Sequence, residues 1–280
     1  MVESIKELRT RCYANYTAKA PLYMEYVTKN VSIYVTKLLL YTPIHADQVT
    51  ISMILLAILG STMIAFGTLK LMLMGILIIH FTIVLDNVNG EIARYRKEGD
   101  MRGSFLEFFY HEITATLFFF ALAFGVFLQT GYKSVLIFGF LSSVFSKSVV
   151  LSITKLAALK HAVRDDQKRR KEKVRKIIEI IGIRNFNLEG GSTETGRSLY
   201  KTYSIIKEFW GHPFNIVHIN ILVILEFINS YYNYLPMYLM LYWYLVIYGT
   251  ISVIIQIISF IVHYKGKTVY HYYLALFGKK

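Results

Sequence analysis

The chain has 280 residues, of which 55% are hydrophobic and 15% aromatic, and its formal net charge at pH 7 is +13. Its mean hydropathy is positive, at +0.43, which excludes an ordinary soluble domain or a disordered chain and indicates a polytopic membrane protein. The single cysteine, Cys12, excludes an internal disulfide and a metal site built on two cysteines.

The N-terminal region, residues 1–48, precedes the first apolar run long enough to cross a bilayer and shows no secretory cleavage pattern. Within it, residues 21–41 are moderately apolar. This segment predicts an amphipathic helix lying in the headgroup plane on the cytoplasmic side. A further span is the weaker interpretation, because Glu25, Lys29 and Lys37 would then enter lipid.

Six later windows are apolar over the roughly 20 residues that a helix needs to cross about 30 Å of hydrocarbon. We therefore predict an all-α integral membrane protein with a six-helix transmembrane domain over residues 49–264. The predicted spans are 49–67, 71–95, 104–129, 135–159, 213–234 and 237–264. A polar run precedes the first span, and Asp47 in it is a candidate N-cap.

The 31 basic residues are distributed asymmetrically around these spans. Six precede the first span, four lie within 94–102, thirteen within 160–207 and four in a basic tail at 265–280. By the positive-inside rule, both termini, the turn at 94–102 and the loop at 160–212 face the cytoplasm. The loop is predicted to contain a helix at 165–181. The net charge needs no nucleic acid partner, since anionic lipid and phosphorylated substrates lie on that side.

Polar residues recur at helical spacing in the second and third predicted spans. The residues at i, i+3, i+4 and i+7 of one helical face are Asp86, Asn89, Gly90 and Ala93. The next helix carries a series four residues apart, made of Gly103, Glu107 and His111. Because a short turn joins the two helices, these faces can meet and form a metal site. Asp86 and His111 would lie about 13 Å and about 10 Å from the cytoplasmic ends of their spans, in one layer of the inner leaflet.

This pattern resembles the signature of the CDP-alcohol phosphotransferase (CDP-alcohol phosphatidyltransferase) family, D-x2-D-G-x2-A-R-x8-G-x3-D-x3-D. The matching residues here are Asp86, Asn89, Gly90, Ala93, Arg94, Gly103, Glu107 and His111. Every spacing is kept, while three of the four family aspartates are replaced. The six-span layout, the juxtamembrane helix and the polar entry to the first span extend the resemblance over most of the chain.

The resemblance implies an activity in phospholipid or glycolipid biosynthesis. Members of the family transfer a substituted phosphate group, often a phosphatidyl group, from a CDP-linked alcohol to the hydroxyl group of an acceptor alcohol, and CMP is released. Divalent cations, Mg²⁺ or Mn²⁺, bind the pyrophosphate of the donor. A homodimer is also implied by the resemblance alone.

The roles of individual residues follow from their positions in the motif. The metal positions correspond to Asp86, Asn89, Glu107 and His111, and the catalytic positions to His111, Asp86 and Glu107. The positions associated with nucleotide binding correspond to Gly90, Ala93, Arg94 and Gly103. Small residues let a flat base and its phosphates approach a helix, and an arginine can bind phosphate through two hydrogen bonds.

The replaced aspartates change the electrostatics of the predicted site. Asp86 and Glu107 supply a charge of −2 where the family has −4, so we expect one tightly bound cation or a softer pair. An imidazole ligand favours Mn²⁺ or Zn²⁺ over Mg²⁺. Glu91 or Glu112, each one position off its motif face, would add a carboxylate if it turned inward.

His111 occupies the position of the family's presumed general base, and two roles stay open for it. As a base, an imidazole could take the acceptor's proton at cytoplasmic pH. As a metal ligand, it would be held neutral with one nitrogen occupied. The sequence favours the base role, because no partner that would orient a ligand histidine is identifiable.

Two other kinds of function fit part of the same pattern. Replaced aspartates are also typical of an inactive homologue that binds lipid, nucleotide or a partner protein. Retention of Gly90, Arg94 and Gly103 favours a catalytic site, because drift would erase these residues as well. A transporter or channel fits less well, since the chain shows no convincing internal repeat.

Several polar residues outside the motif are further candidates. Lys147, set among serines in the fourth span, could bind an acceptor phosphate or a donor headgroup, or pair with Glu226. Arg102 is a second candidate for substrate contact. His80 is expected to face a neighbouring helix. In the turn, the acidic residues expected to be solvated rather than ligating are Glu98 and Asp100.

Overall fold

The computed structural model describes residues 3–14, 22–146, 209–211 and 213–265. All regular structure in these residues is helical, which confirms the all-α prediction. The helices are α1 (Ile5–Tyr13), α2 (Lys29–Leu39), α3 (Ala46–Ala65), α4 (Leu69–Arg96), α5 (Met101–Thr130), α6 (Ser134–Phe145), α7 (Phe214–Tyr232) and α8 (Leu239–Lys265). A π-helical turn, Met24–Thr28, leads directly into α2.

Five of these helices are long and apolar enough to cross a membrane, so the protein is a multi-pass membrane protein. They contain the segments Ala46–Ala65, Leu69–Arg96, Arg102–Thr130, Phe214–Tyr232 and Leu239–Ile258. The predicted fourth span, 135–159, is described only up to residue 146, where α6 is apolar but shorter. The rest of that span, the predicted helix at 165–181 and the tail from 266 lie outside the described residues.

Helix α3 begins earlier than its hydropathy predicts. His45 is the last extended residue before the helix, with φ −90° and ψ 161°, and its amide donates to Gln48 Oε1 at 2.9 Å. The prediction that Asp47 is the N-cap is therefore wrong, because Asp47 already lies in the first turn of α3. A hydropathy window detects where apolar residues start, whereas the capping residue decides where the helix starts.

The turn between α4 and α5 is formed by local backbone geometry. Helix α4 ends at Arg96, and its C-cap, Lys97, has a left-handed φ of +57°. Asp100 then caps α5, since its Oδ1 accepts a hydrogen bond from the Gly103 amide at 2.8 Å. Helix α5 consequently starts at Met101, three residues before the predicted span.

Helix α3 packs against both α4 and α5, and glycines allow the close approach. A Cβ atom on Gly75 would lie 2.6 Å from the Gly60 carbonyl oxygen, and one on Gly125 would lie 2.4 Å from the Ile64 carbonyl oxygen. Small residues at helix crossings are the usual way for membrane helices to pack backbone against backbone. The motif-bearing helices α4 and α5 are thereby held around a common partner.

The N-terminal helices cover the C-terminal half of α4. Leu8 and Cys12 of α1 and Ile33 of α2 are buried together in a small apolar cluster. The outward side of the same region exposes large apolar side chains, namely Tyr26, Val31, Tyr34 and Leu38. The region therefore has one face against the bundle and an apolar face directed away from it.

Candidate functional site

The two motif-bearing helices place Asp86 and His111 at the same level. Asp86 lies ten residues before Arg96, the last residue of α4, and His111 lies ten residues after Met101, the first residue of α5. At 1.5 Å per residue, each is about 15 Å along its helix from the connecting turn. Their side chains can meet because they are level on two helices that a short turn joins and that both pack against α3.

Three ionisable side chains converge between α4 and α5. Asp86, Glu107 and His111 each offer one ligand atom, and these atoms all lie within 4.8 Å of one another. His111 Nε2 is 3.6 Å from Asp86 Oδ1, which is longer than an ordinary hydrogen bond. Ligand atoms around a small divalent cation are roughly 3–4 Å apart, so a small closure would let all three bind one ion.

The converging cluster is open on one side. Glu107 is exposed, while Asp86 and His111 are half-buried. Asn89, also half-buried, lies on the same face of α4 less than one turn from Asp86. A molecule that enters from the exposed side would meet Glu107 first.

Arg94 lies back along α4 over Gly90. A Cβ atom at position 90 would be 2.9 Å from Arg94 Nη1 and 3.4 Å from Nη2, so the guanidinium occupies the space that a side chain there would fill. Long helical side chains point toward the preceding turn, which here is the turn that leads to Asp86. The half-buried guanidinium thus lies over Gly90, about one helical turn from Asp86 along α4.

Gly103 brings a further carboxylate toward the site. A Cβ atom on Gly103 would be 3.1 Å from Asp47 Oδ1, so the first turn of α3 lies against the first turn of α5. Sequence reasoning considered Asp47 only as a helix cap and missed this proximity. The polar run before the first span could have indicated this contact, because a helix cap alone needs only one polar residue of that run.

Glu91 does not turn toward the converging cluster. It is fully buried, and its carboxylate accepts hydrogen bonds from hydroxyl groups of the N-terminal region, those of Tyr13, Ser32 and Thr36. Three hydroxyl donors to one carboxylate satisfy its oxygens without a metal. The possibility that Glu91 supplies an additional ligand is therefore excluded by its contacts.

The acidic residues of the turn have structural partners. Glu98 Oε1 lies 2.7 Å from His45 Nδ1, and Glu98 Oε2 accepts from the Ala46 amide at 3.2 Å. Asp100 caps α5, as described above. As expected, Glu98 and Asp100 lie outside the converging cluster. They are not merely solvated, however, because their hydrogen bonds hold the turn in place. Arg102 is 89% exposed and lies 3.6 Å from Asp100, away from the cluster.

The structure describes one of two polar residues that the sequence singled out within the spans, His80, and does not describe the other, Lys147. His80 contacts neighbours on both sides, as predicted, with Nε2 2.7 Å from Tyr23 Oη and Nδ1 2.7 Å from Asn220 Nδ2. Lys147 lies outside the described residues, so its contact with a phosphate or with Glu226 stays a prediction. The Glu226 carboxylate accepts hydrogen bonds at the start of α8, from the backbone amides of Tyr238 at 3.0 Å and Met240 at 2.9 Å.

No protein-family model matches the chain, and no curated protein matches it significantly. The site itself is therefore the basis for inferring the function. Its chemistry is that of two carboxylates and an imidazole whose ligand atoms lie within 4.8 Å of one another, with an arginine over Gly90, about one helical turn from Asp86.

Proposed function

We propose that the protein transfers a substituted phosphate group from a CDP-linked alcohol to an acceptor hydroxyl and releases CMP, as a variant CDP-alcohol phosphotransferase. The observation that carries this proposal is the convergence of Asp86, Glu107 and His111 from two helices. These are three of the four positions at which the family motif has aspartates. The convergence supports a working site, because residues left over from a decayed site have no reason to keep facing each other.

The donor set fits a divalent metal ion. Asp86 and Glu107 would hold it with carboxylate oxygens, His111 with a neutral nitrogen, and Asn89 is a candidate for a further oxygen. Because one ligand is an imidazole, Mn²⁺ fits better than Mg²⁺. A cation bound there would neutralise charge on the donor's pyrophosphate and on the departing CMP.

The remaining motif residues would bind the nucleotide. Arg94 would bind a phosphate of the donor, and Gly90 allows its guanidinium to lie along the helix. Ala93 offers a small surface on the same face for the approach of the cytosine. Gly103 would keep the start of α5 clear, because a larger residue would press against Asp47.

The geometry supports a ligand role for His111 over the base role that the sequence favours. Its Nε2 atom faces Asp86 Oδ1 at 3.6 Å, and the same three-residue cluster includes Glu107. A nitrogen directed at two carboxylates is in position to bind the cation that these carboxylates hold. It is less well placed to accept a proton from an acceptor that arrives from solvent.

The proposal includes a placement in the membrane. Six spans, with both termini and the site on the cytoplasmic side, would let a lipid-linked donor enter from the inner leaflet while the acceptor arrives from the cytoplasm. The apolar outward face of the N-terminal helices, which includes Tyr34 and Leu38, supports an interfacial position for them. The homodimer implied by the family resemblance is part of the same proposal.

The alternative is an inactive homologue that binds nucleotide or lipid. Asn89 favours it, since an amide keeps an oxygen ligand but lacks the charge that would hold a second cation. Under this alternative the protein would bind a CDP-linked alcohol and release no CMP.

Mass spectrometry of the reaction products tests the proposal. Purified protein is incubated with Mn²⁺ or Mg²⁺ and with pairs from a panel of CDP-alcohols and acceptor alcohols. The expected result is CMP together with a new phosphodiester, and Asp86→Ala should abolish both. Asp100→Asn is the matched control, because it changes a nearby acid outside the cluster and keeps a good N-cap. Binding of a donor without CMP formation would establish the inactive alternative.

A further inference from the structure

Helix α1 docks directly on the part of α4 that carries Arg94. Leu8 and Cys12 are buried at this contact, and the Cys12 thiol lies 3.5 Å from the Glu91 carbonyl oxygen. Burial, reinforced by the nearby Glu91 carboxylate, raises the pKa of Cys12 to about 11. The only cysteine of the chain therefore reports on this docking, since it should be alkylated slowly while α1 is in place.

Tyr13, at the end of α1, makes two kinds of contact, one through its hydroxyl group and one through its ring. Its hydroxyl donates to the buried Glu91 carboxylate. Burial, with Glu91 as the next cause, raises the pKa of this hydroxyl, so it stays a donor at physiological pH. The ring lies 5.1 Å from the Arg94 guanidinium carbon and 5.1 Å from Lys29 Nζ, within the range of a cation–π interaction.

A constraint on the Arg94 side chain would favour anion binding. An arginine side chain has many rotamers, and ordering them when a ligand binds costs affinity. Gly90 leaves space for the guanidinium to lie back along α4 but does not hold it there. The face of Tyr13 supplies an attractive surface on the other side of the guanidinium.

We propose that Tyr13 is a positioning residue for binding of the donor's phosphates: its ring holds the Arg94 guanidinium over Gly90, and its hydrogen bond to Glu91 holds the ring. The inference rests on the proposed function, since it takes Arg94 as the phosphate-binding residue. It extends the site to α1, which lies about 80 residues before the motif and which the family resemblance does not include.

Binding of CDP, compared with binding of cytidine, tests this role. Tyr13→Leu should raise the dissociation constant for CDP roughly 3- to 30-fold, the range that a partly desolvated cation–π contact supplies. Cytidine has no phosphate, so its binding should not change. Tyr13→Phe keeps the ring and should lie between the wild type and Tyr13→Leu. With CDP-diacylglycerol as donor, the KM should rise in Tyr13→Leu with little change in kcat.

Tyr95→Leu is the matched control. Tyr95 also lies at the contact between α1 and α4, but its ring covers Arg11, at 4.2 Å, rather than Arg94. This variant removes the same type of ring from the same interface and should bind CDP like the wild type. Alkylation of Cys12, measured in every variant, shows whether α1 is still docked.

Three results would overturn the inference. The first is wild-type CDP affinity in Tyr13→Leu. The second is an equal loss of CDP affinity in Tyr95→Leu. The third is a loss in Tyr13→Phe as large as in Tyr13→Leu accompanied by rapid alkylation of Cys12, which would assign Tyr13 to docking alone. Failure of the wild-type protein to bind CDP or release CMP would instead refute the proposed function.

Discussion

Asp86 and Glu107 come from different helices, yet their ligand atoms lie within 4.8 Å of each other and of a His111 nitrogen. Two like charges at this distance repel each other unless a cation or a proton lies between them. A cation bound between them would relieve this repulsion, and under the proposed function the members of the cluster should act as a unit.

Shared binding of one cation predicts non-additive effects. Asp86→Ala or Glu107→Ala should each weaken Mn²⁺ binding roughly tenfold or more, since each removes half of the anionic ligand charge. The double variant should lose little more Mn²⁺ affinity than the worse single variant, because the effects of residues that share one site are not additive. Calorimetric titration of Mn²⁺ measures this, with Asp100→Asn as a control expected to bind normally. Independent, additive losses would contradict a shared site.

His111→Ala separates the two roles of the imidazole. As a ligand, which the geometry supports, its loss should weaken Mn²⁺ binding, and high Mn²⁺ concentrations should recover part of the activity. As a base, its loss should lower kcat by roughly 10²–10⁴ while metal affinity stays nearly intact. Steady-state kinetics over a range of Mn²⁺ concentrations distinguish these outcomes. A variant with unchanged kcat and unchanged metal dependence would exclude both roles.

At the scale of the helices, the crossing of α3 and α4 depends on two glycines. A Cβ atom on Gly75 meets the Gly60 carbonyl oxygen at 2.6 Å, and one on Gly60 meets the Gly75 carbonyl oxygen at 2.9 Å. Both obstructing atoms belong to the backbone and can move only if the helices separate. Because α3 also contacts α5, separation would disturb the helix pair that carries the site.

Gly75→Ala should therefore destabilise the protein by roughly 1–3 kcal/mol, as overpacking does. Alanine favours the helix over glycine by about 1 kcal/mol, so a loss of stability in Gly75→Ala would have to come from packing. Thermal unfolding in detergent micelles measures the effect. Gly99→Ala is the control, because a Cβ there has no neighbour within 4 Å, and its stability should change by less than about 0.5 kcal/mol. Equal stability of the two variants would show that the α3–α4 crossing can relax.

At the scale of the whole molecule, the two ends of the bundle differ in what they carry. One end holds the α4–α5 turn, with its contacts between Glu98 and the start of α3. At the other end, the Tyr238 hydroxyl donates to the Gly67 carbonyl oxygen. This hydrogen bond links the α7–α8 loop to the α3–α4 loop. The distribution of lysine and arginine predicts that the first end is cytoplasmic.

Cysteine labelling tests this orientation. In a Cys12→Ala background, Gly99→Cys should resist a membrane-impermeant maleimide added to intact cells and react after permeabilisation. Position 99 is suitable because a side chain there has open space. Tyr234→Cys, at a residue that is 80% exposed at the other end, should react from outside. A cysteine placed in the loop at 160–207 should behave like position 99. Strong external labelling at position 99 would reverse the topology and remove the cytoplasmic site.

Periodicity in the sequence determined which motif residues share a helical face. Asp86 and Gly90 lie on one side of α4, and Glu107 and His111 on one side of α5, because the geometry of an α-helix is local and repeats every 3.6 residues. Hydropathy likewise indicated a membrane protein, because runs of about 20 apolar residues match the thickness of the hydrocarbon core.

Only the tertiary structure decided which distant residues meet these faces. Asp47 lies beside Gly103, and Glu91 turns away from the converging cluster to the hydroxyls of the N-terminal region, although Glu91 is next in sequence to Gly90. Tyr13 reaches Arg94 across most of the first hundred residues. Such contacts have no period in the sequence, because they depend on how helices cross and which small residues allow close approach, and both are properties of the packed bundle.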